Sequence, residues 1–265
     1  MSQYSKQQID LLKTNKDIYE VFIPDNTTIQ SATFLLQVER GKVPGVSSVN
    51  IQGYNAEMPT SWRAAWELAN TADWSYPSSN LAMTFTSTQA ETLTLQVSGL
   101  DSNYLIKSAT ATFSNSNTAV VTVGTNVFFR INRMQITKGT SAGGISAKNN
   151  NTTYSYIGAG AGISQASTYT VPAGYTFYLN RVNAYTTNNG TQHCSYRIYT
   201  QRYVDGVLTP QTVLTAPFTQ GYTTMRVVPR AYTEKTDIQW QLYQTHQAPG
   251  SIQLEGILVD NSLTI

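Results

Sequence analysis

The fold is indicated most clearly by one stretch in the second half of the chain, Cys194-Ser-Tyr-Arg-Ile-Tyr-Thr-Gln-Arg-Tyr-Val-Asp-Gly-Val-Leu-Thr-Pro-Gln-Thr-Val-Leu214. Two runs rich in β-branched and aromatic residues, which favour strands, flank Asp205-Gly206. Asp-Gly favours a tight hairpin turn because both central positions of that turn need a positive φ. The stretch therefore predicts an antiparallel hairpin with strands over 191–204 and 207–214.

The same pattern continues on both sides of the hairpin. β-Prone runs bounded by turn residues predict further strands over 168–171, 176–187, 223–228, 237–244 and 251–260. Turn residues recur about every 8 to 12 positions, which is typical of sandwiches and jelly rolls. We expect residues 167–265 to form one such domain.

The first half of the chain carries similar but weaker signals, with strands expected over 18–23, 32–38, 46–51, 92–97, 108–113, 119–123 and 127–137. Residues 138–166 are rich in Gly, Ser and Asn with little apolar periodicity, as in linkers and long surface loops. The predicted fold class is all-β. A β-sandwich domain over 17–137 and a β-sandwich or jelly-roll domain over 167–265 are joined by this linker and preceded by a short N-terminal arm over 1–16.

One segment favours a short helix. Trp62, Trp66 and Ala69 lie at helical spacing, and Thr60 or Ser61 is suited to cap a helix that runs to Trp74. Tryptophans at this spacing either plug a sheet or stack on a ligand. We favour the core interpretation.

The composition removes most catalytic classes. Only 12% of the 265 residues are charged, about half the usual fraction, and the chain has 2 His and 1 Cys. A single Cys194 forms no intrachain disulfide, and no Cys or His spacing suits zinc. We therefore predict no catalytic residues, no cofactor and no metal. The N-terminus lacks a secretory signal pattern and no run suits a membrane span, so we expect synthesis and assembly in the cytoplasm.

The charges are distributed unevenly. No acid lies between Asp101 and Asp205, while eight cations do: Lys107, Arg130, Arg133, Lys138, Lys148, Arg181, Arg197 and Arg202. One interpretation is a surface that docks on an acidic partner, with Arg130 and Arg133 as candidates, helped by Ile9 and Leu12 of the N-terminal arm. The other is that these cations are spread over several strands and form no patch. Nucleic acid is not favoured, because no nucleic-acid-binding motif accompanies them.

A candidate contact surface lies on the strand that precedes Asp205. Because side chains alternate between the two faces of a strand, Arg197, Tyr199, Gln201 and Tyr203 share one face. Tyr and Arg are enriched at interfaces, so this face suits a protein subunit or a glycan. A solvated sheet exterior explains the same pattern, and both interpretations remain open.

Three further patterns favour structure over chemistry. His193 and Cys194 are neighbours on a strand and so point to opposite faces. Glu234 and Asp237 fit the turn that begins a strand better than a pair of catalytic carboxylates or a calcium site. The glycine-rich run at 158–162 lacks the strand-turn-helix context of a phosphate-binding loop.

Four segments carry a resemblance: Leu93-Thr-Leu-Gln-Val-Ser-Gly-Leu-Asp101, Val127-Phe-Phe-Arg-Ile-Asn-Arg-Met134, Thr168-Tyr-Thr-Val-Pro-Ala-Gly-Tyr-Thr-Phe-Tyr-Leu179 and Glu234-Lys-Thr-Asp-Ile238. In this order they resemble virion structural proteins of tailed bacteriophages, particularly those of cyanobacteria and other aquatic hosts. The resemblance covers roughly residues 91–265. It implies a subunit of the particle, as a capsid decoration or an appendage, and it carries over no catalytic residue.

We therefore predict a non-enzymatic virion structural protein. It decorates or stabilises the capsid, or a vertex or neck appendage, through contacts with capsid or other virion proteins. A symmetric homo-oligomer is expected, with a trimer favoured. The alternative is a tail-fibre module that binds a receptor glycan. The sequence assigns no role to Cys194 beyond that of a small strand residue.

Overall fold

The computed structural model describes residues 34–187, 193–204 and 207–263. The chain divides into two compact units, Met1–Ser48 and Val49–Ile265. In the described part of the first unit, residues Phe34–Glu39 form helix α1, which ends where Gly41 adopts a φ of 66°. The strand predicted over 32–38 is therefore wrong within its described part. No helix in the described residues is long and apolar enough to cross a membrane.

The described residues are nearly all β outside α1, which confirms the predicted fold class at that level. They form seventeen strands: β1 Val46–Met58, β2 Arg63–Ala64, β3 Leu81–Ala82, β4 Thr84–Leu100, β5 Ile106–Thr118, β6 Val120–Gly124, β7 Val127–Phe128, β8 Arg130–Lys138, β9 Ile145–Asn149, β10 Thr152–Ile157, β11 Thr168–Thr170, β12 Tyr175–Thr186, β13 Cys194–Val204, β14 Val207–Phe218, β15 Gly221–Tyr232, β16 Asp237–Gln244 and β17 Ala248–Asp260. The predicted hairpin is confirmed, since β13 and β14 pair antiparallel with Val204 opposite Val207.

Two sheets of the second unit pack face to face. The first has the strand order β1-β17-β12-β15; the second has the order β11-β16-β13-β14, with β2 added beside β16. Their inner faces share one hydrophobic core, in which Phe177 of β12 meets Trp240 of β16 edge to face at 6.3 Å between ring centroids. Burial of such large aromatic side chains is the main stabilising term of this sandwich.

A third sheet forms a second core. It has the order β10-β9-β4-β5-β6, with β8 paired to β4. The short strands β3 and β7 form a separate two-stranded sheet. Phe85, Leu95 and Phe113 are buried in this core together with Phe128 and Met134. Residues 49–265 hold both cores in one compact unit.

The predicted linker over 138–166 is not confirmed. Two strands, β9 and β10, lie within it, and β9 pairs with both β4 and β10. The two cores also divide the chain differently from the predicted domains, because Ile51, Met58 and Trp66 belong to the core of the C-terminal half. The predicted boundaries therefore do not coincide with the two cores.

The helix predicted over Trp62–Trp74 is wrong. Arg63 and Ala64 pair with β16, and a turn follows. The side-chain amide of Asn55 donates to the carbonyls of Trp66 and Glu67, each at 2.9 Å, so these carbonyls bond across to β1. The core interpretation of the tryptophans holds for Trp66, which is buried.

Candidate contact face

The strand face that contains Arg197 lies on the outside of the sandwich. Along β13, Cys194, Tyr196, Ile198 and Thr200 are buried, and Arg197, Tyr199 and Gln201 are half-buried. The predicted alternation is therefore confirmed over these residues. The side chain of Tyr203 lies outside the described residues.

Arg197 is held by three neighbours on this face. Its guanidinium lies 4.6 Å from the ring centroid of Trp62 and 5.7 Å from that of Tyr199. Its Nε donates to Oε1 of Gln241 at 2.7 Å. Burial lowers the pKa of Arg197, but a guanidinium stays charged at any physiological pH. The cation is therefore fixed in one orientation on the sheet.

Side chains of the neighbouring strand extend this surface. Nε2 of Gln241 donates to Oε1 of Gln239 at 2.8 Å. The rings of Trp62 and Tyr243 lie 5.6 Å apart at an angle of 35°. On β13, Nε2 of Gln201 donates to the hydroxyl of Tyr199 at 3.0 Å. We call this surface the aromatic face; it comprises Trp62, Arg197, Tyr199, Gln201, Gln239, Gln241 and Tyr243.

The sequence analysis missed Trp62, which directly precedes β2, and the residues that β16 contributes to the aromatic face. Ala64 lies opposite Gln241 and Arg63 opposite Leu242, so the pairing places Trp62 beside the end of β16. Nη1 of Arg63 also donates to the carbonyl of Ala69 at 2.8 Å, which fixes this turn. The alternation Gln239, Gln241, Tyr243 was a readable signal, but nothing local to Trp62 indicates that it joins this sheet.

The docking prediction for Arg130 is wrong, because its side chain is buried. Nε and Nη2 donate to the two carboxylate oxygens of Asp237 at 2.8 and 2.7 Å. Nη1 donates to the carbonyl of Pro77 at 2.9 Å, and the guanidinium lies 3.8 Å from the ring centroid of Phe129. Burial opposes the charge on Arg130, but Asp237 outweighs burial and raises the pKa of Arg130. The pair joins β8 of the third sheet to β16 of the sandwich.

The other predicted docking residues differ in their placement. Arg133 is exposed and lines a cleft of about 150 Å³. Ile9 and Leu12 lie outside the described residues. The eight cations of the acid-free segment lie on β5, β8, β9, β12 and β13, in three different sheets. Because Arg130 is buried, the eight cations do not all contribute to one exposed basic patch.

Acids from the flanking segments reach into the acid-free segment. Glu91 is buried and accepts hydrogen bonds from the backbone N–H groups of Ala142 and Gly143, the latter at 2.7 Å. Glu67 accepts from the N–H of Gly158 at 2.9 Å. A Cβ at Gly158 would overlap Oε1 of Glu67, so a larger residue there would displace this carboxylate. Two carboxylates that are distant in sequence thus hold the loop that contains Gly143 and the loop that contains Gly158.

Protonation of Glu67 is expected to affect stability near neutral pH. Burial raises its pKa from 4.5 to about 7, despite hydrogen bonds from the N–H groups of Gly158 and Gln165 that lower it. Between these two values the folded protein binds more protons than the unfolded chain, so its stability falls as pH rises. We expect Glu67→Gln to remove this part of the fall.

The measurement is urea unfolding of both proteins at about pH 5 and about pH 7.5. The exposed Glu57→Gln serves as the control and should keep the wild-type pH dependence. If Glu67→Gln loses as much stability as the wild type between the two pH values, Glu67 does not titrate in this range.

The remaining titratable candidates lie in different environments and have different partners. Cys194 is buried and His193 is exposed, as their alternation predicts. Glu234 accepts from the N–H of Gly174 at 2.6 Å, whereas Asp237 pairs with Arg130. No group of three or more His, Cys, Asp or Glu that suits a metal ion occurs in the described ranges.

Comparison with known proteins gives no relative: no protein-family model, no curated protein and no solved structure matches the chain. The resemblance to phage virion proteins therefore rests on the four quoted segments.

Proposed function

We propose that this protein is a non-enzymatic structural protein of a tailed-bacteriophage particle that binds a neighbouring virion protein through the aromatic face. The observation that carries the proposal is Arg197, fixed between Trp62 and Tyr199 on the outside of the sandwich. Trp, Tyr and Arg dominate binding energy at protein interfaces.

The preorganisation of the aromatic face supports this role. Gln241 is 8% exposed and orients Arg197 through a hydrogen bond of 2.7 Å. A side chain that is already ordered loses less conformational entropy when a partner binds. Such an ordered face fits a permanent protein contact better than it fits a sheet exterior that only solvent covers.

The resemblance supports placement in the particle. All four quoted segments contribute residues to β4, β7, β8, β11, β12 or β16. We place the protein as a decoration of the capsid or as part of a vertex or neck appendage. A symmetric oligomer, with a trimer favoured, belongs to this proposal because closed symmetry is usual for such subunits.

Loading onto purified particles that lack this protein tests the proposal. We expect Arg197→Ala combined with Tyr199→Ala to reduce loading at least tenfold, since such residues cost over about 1.4 kcal/mol when truncated. The control Arg202→Ala removes the same charge from an exposed position on the same strand and should load normally. Wild-type loading by the double variant would contradict the role of this face.

The alternative, a tail-fibre module that binds a receptor glycan, is favoured by one observation. Trp62, Tyr199 and Tyr243 present half-buried rings on a single sheet face, and the C–H groups of a sugar ring pack well on such rings. Binding to an array of host glycans that Tyr199→Ala abolishes, together with normal particle loading of the double variant, would favour the alternative.

A further inference from the structure

We propose that the cleft beside Arg133 binds one acidic sugar residue, a six-membered ring that carries a carboxylate. The cleft is separate from the aromatic face. Its volume is about 150 Å³, and it is lined by polar side chains, Asn50, Gln52, Asn132, Arg133, Ser164 and Gln253, and by three apolar residues, Ile51, Ile163 and Ala166. A volume of this size holds one six-membered ring.

The charge of the cleft selects an anion. Arg133 is exposed, and among the described residues that line the cleft none is Asp or Glu. The nearest acid along β17 is Glu255. Its Oε2 lies 3.7 Å from Nη1 of Arg181, so Glu255 pairs with Arg181 and not with Arg133. A guanidinium presents a planar pair of donors that matches a carboxylate.

The amides of the cleft select a hydroxylated ligand. Asn50 and Gln52 lie two residues apart on one face of β1, and Gln253 lies on the neighbouring strand β17. All three are exposed. Each amide offers donors and an acceptor, and sugar hydroxyls use both, whereas an isolated carboxylate uses donors only. This favours an acidic sugar over an Asp or Glu side chain of a partner protein.

Hydrogen bonds anchor two residues that line the cleft, Asn132 and Ser164. Asn132 exchanges two hydrogen bonds with the backbone of Thr170, donating to its carbonyl and accepting from its N–H, each at 3.0 Å. Oγ of Ser164 accepts from the N–H of Met134 at 2.9 Å, which leaves its hydroxyl proton for another acceptor. Arg133 therefore projects from a fixed stretch of β8 between two anchored residues.

The test is a titration of the full ¹⁵N-labelled chain with glucuronate, followed by NMR. Glucose and acetate serve as probes of the ring and of the carboxylate alone. We expect glucuronate to shift amide signals of residues in β1, β8 and β17, with saturation in the millimolar range, and to bind at least tenfold more tightly than glucose or acetate.

Two variants complete the test. Arg133→Ala should weaken glucuronate binding at least tenfold, while Lys138→Ala removes the same charge from an exposed position further along β8 and should bind as the wild type does. The proposal is wrong if glucuronate gives no saturable shifts at the cleft, or if Arg133→Ala binds normally. If acetate binds as tightly as glucuronate, the cleft is an anion site that does not recognise a sugar. If glucose binds as tightly as glucuronate, the carboxylate makes no contribution to binding. Either result also overturns the proposal.

Discussion

Replacing Arg130 with methionine is expected to lower the free energy of unfolding by about 3–5 kcal/mol. The side chains of Arg130 and Asp237 are each 5% exposed and share two hydrogen bonds. The variant leaves the carboxylate of Asp237 buried, with only the hydroxyl of Thr170 as a donor among its described side-chain contacts. An unpaired buried charge is far more costly than a buried pair.

Urea unfolding of the single variants Arg130→Met and Asp237→Leu, of their double variant and of one control measures this effect. The double variant Arg130→Met with Asp237→Leu should recover most of the loss, because it removes both charges and keeps the side-chain volume. Arg133→Met, on the same strand but exposed, should change stability by less than about 0.5 kcal/mol. If the single losses at 130 and 237 add in the double variant, the two residues do not act as a pair.

Glu91→Ala is expected to lower the free energy of unfolding by about 2–4 kcal/mol, the second largest effect. Glu91 is 3% exposed and accepts from the N–H groups of Ala142 and Gly143 and from the hydroxyl of Ser87. Truncation leaves these donors without their acceptor and frees the loop that precedes β9. Glu91→Gln keeps one carbonyl acceptor and should lose less, and the exposed Glu57→Ala is the neutral control.

The pH dependence gives a second check on Glu91. Burial raises its pKa, but the N–H groups of Gly143 and Ala142 and the hydroxyl of Ser87 outweigh burial, so the pKa lies below 4.5. Its stabilising effect is therefore present above about pH 4.5 and is lost as pH falls through the lower folded pKa. Glu91→Gln should flatten acid unfolding in that range. An unchanged acid transition would contradict the assigned hydrogen bonds.

Local patterns predicted the seven strands from β11 to β17. The alternation along β13 and the Asp205-Gly206 signal identified both the hairpin and the outward face of Arg197. The same rule fails along β8, because a register shift at Asn132 places Arg130 and Arg133 opposite Leu100 and Ser98, which share one face of β4. The different environments of the two arginines could therefore not be read from their spacing.

Two of the failures share a physical cause, which is contact between residues distant in sequence. Residues 138–166 read as a linker because their composition is polar, but Glu67 and Glu91 anchor its loops from far along the chain. Trp62 and Trp66 lie at helical spacing, yet pairing with β16 and the amide of Asn55 fix an extended turn. No local pattern contains these partners.

The four segments that resemble phage virion proteins meet around one buried ion pair. Leu100 pairs with Arg130 between β4 and β8, and Thr170 donates to Asp237 at 2.6 Å. Each of these residues belongs to a different quoted segment. The quoted segments therefore lie at the junction of the two cores. They contain no residue of the aromatic face, and of the Arg133 cleft they contain only the residues of β8.

A reconstruction of phage particles assembled with this protein present tests the proposed function most directly. We predict density for the sandwich on the particle, with Trp62, Arg197 and Tyr199 in contact with another virion protein. Particles without this density, or density in which these three side chains face only solvent, would contradict the account.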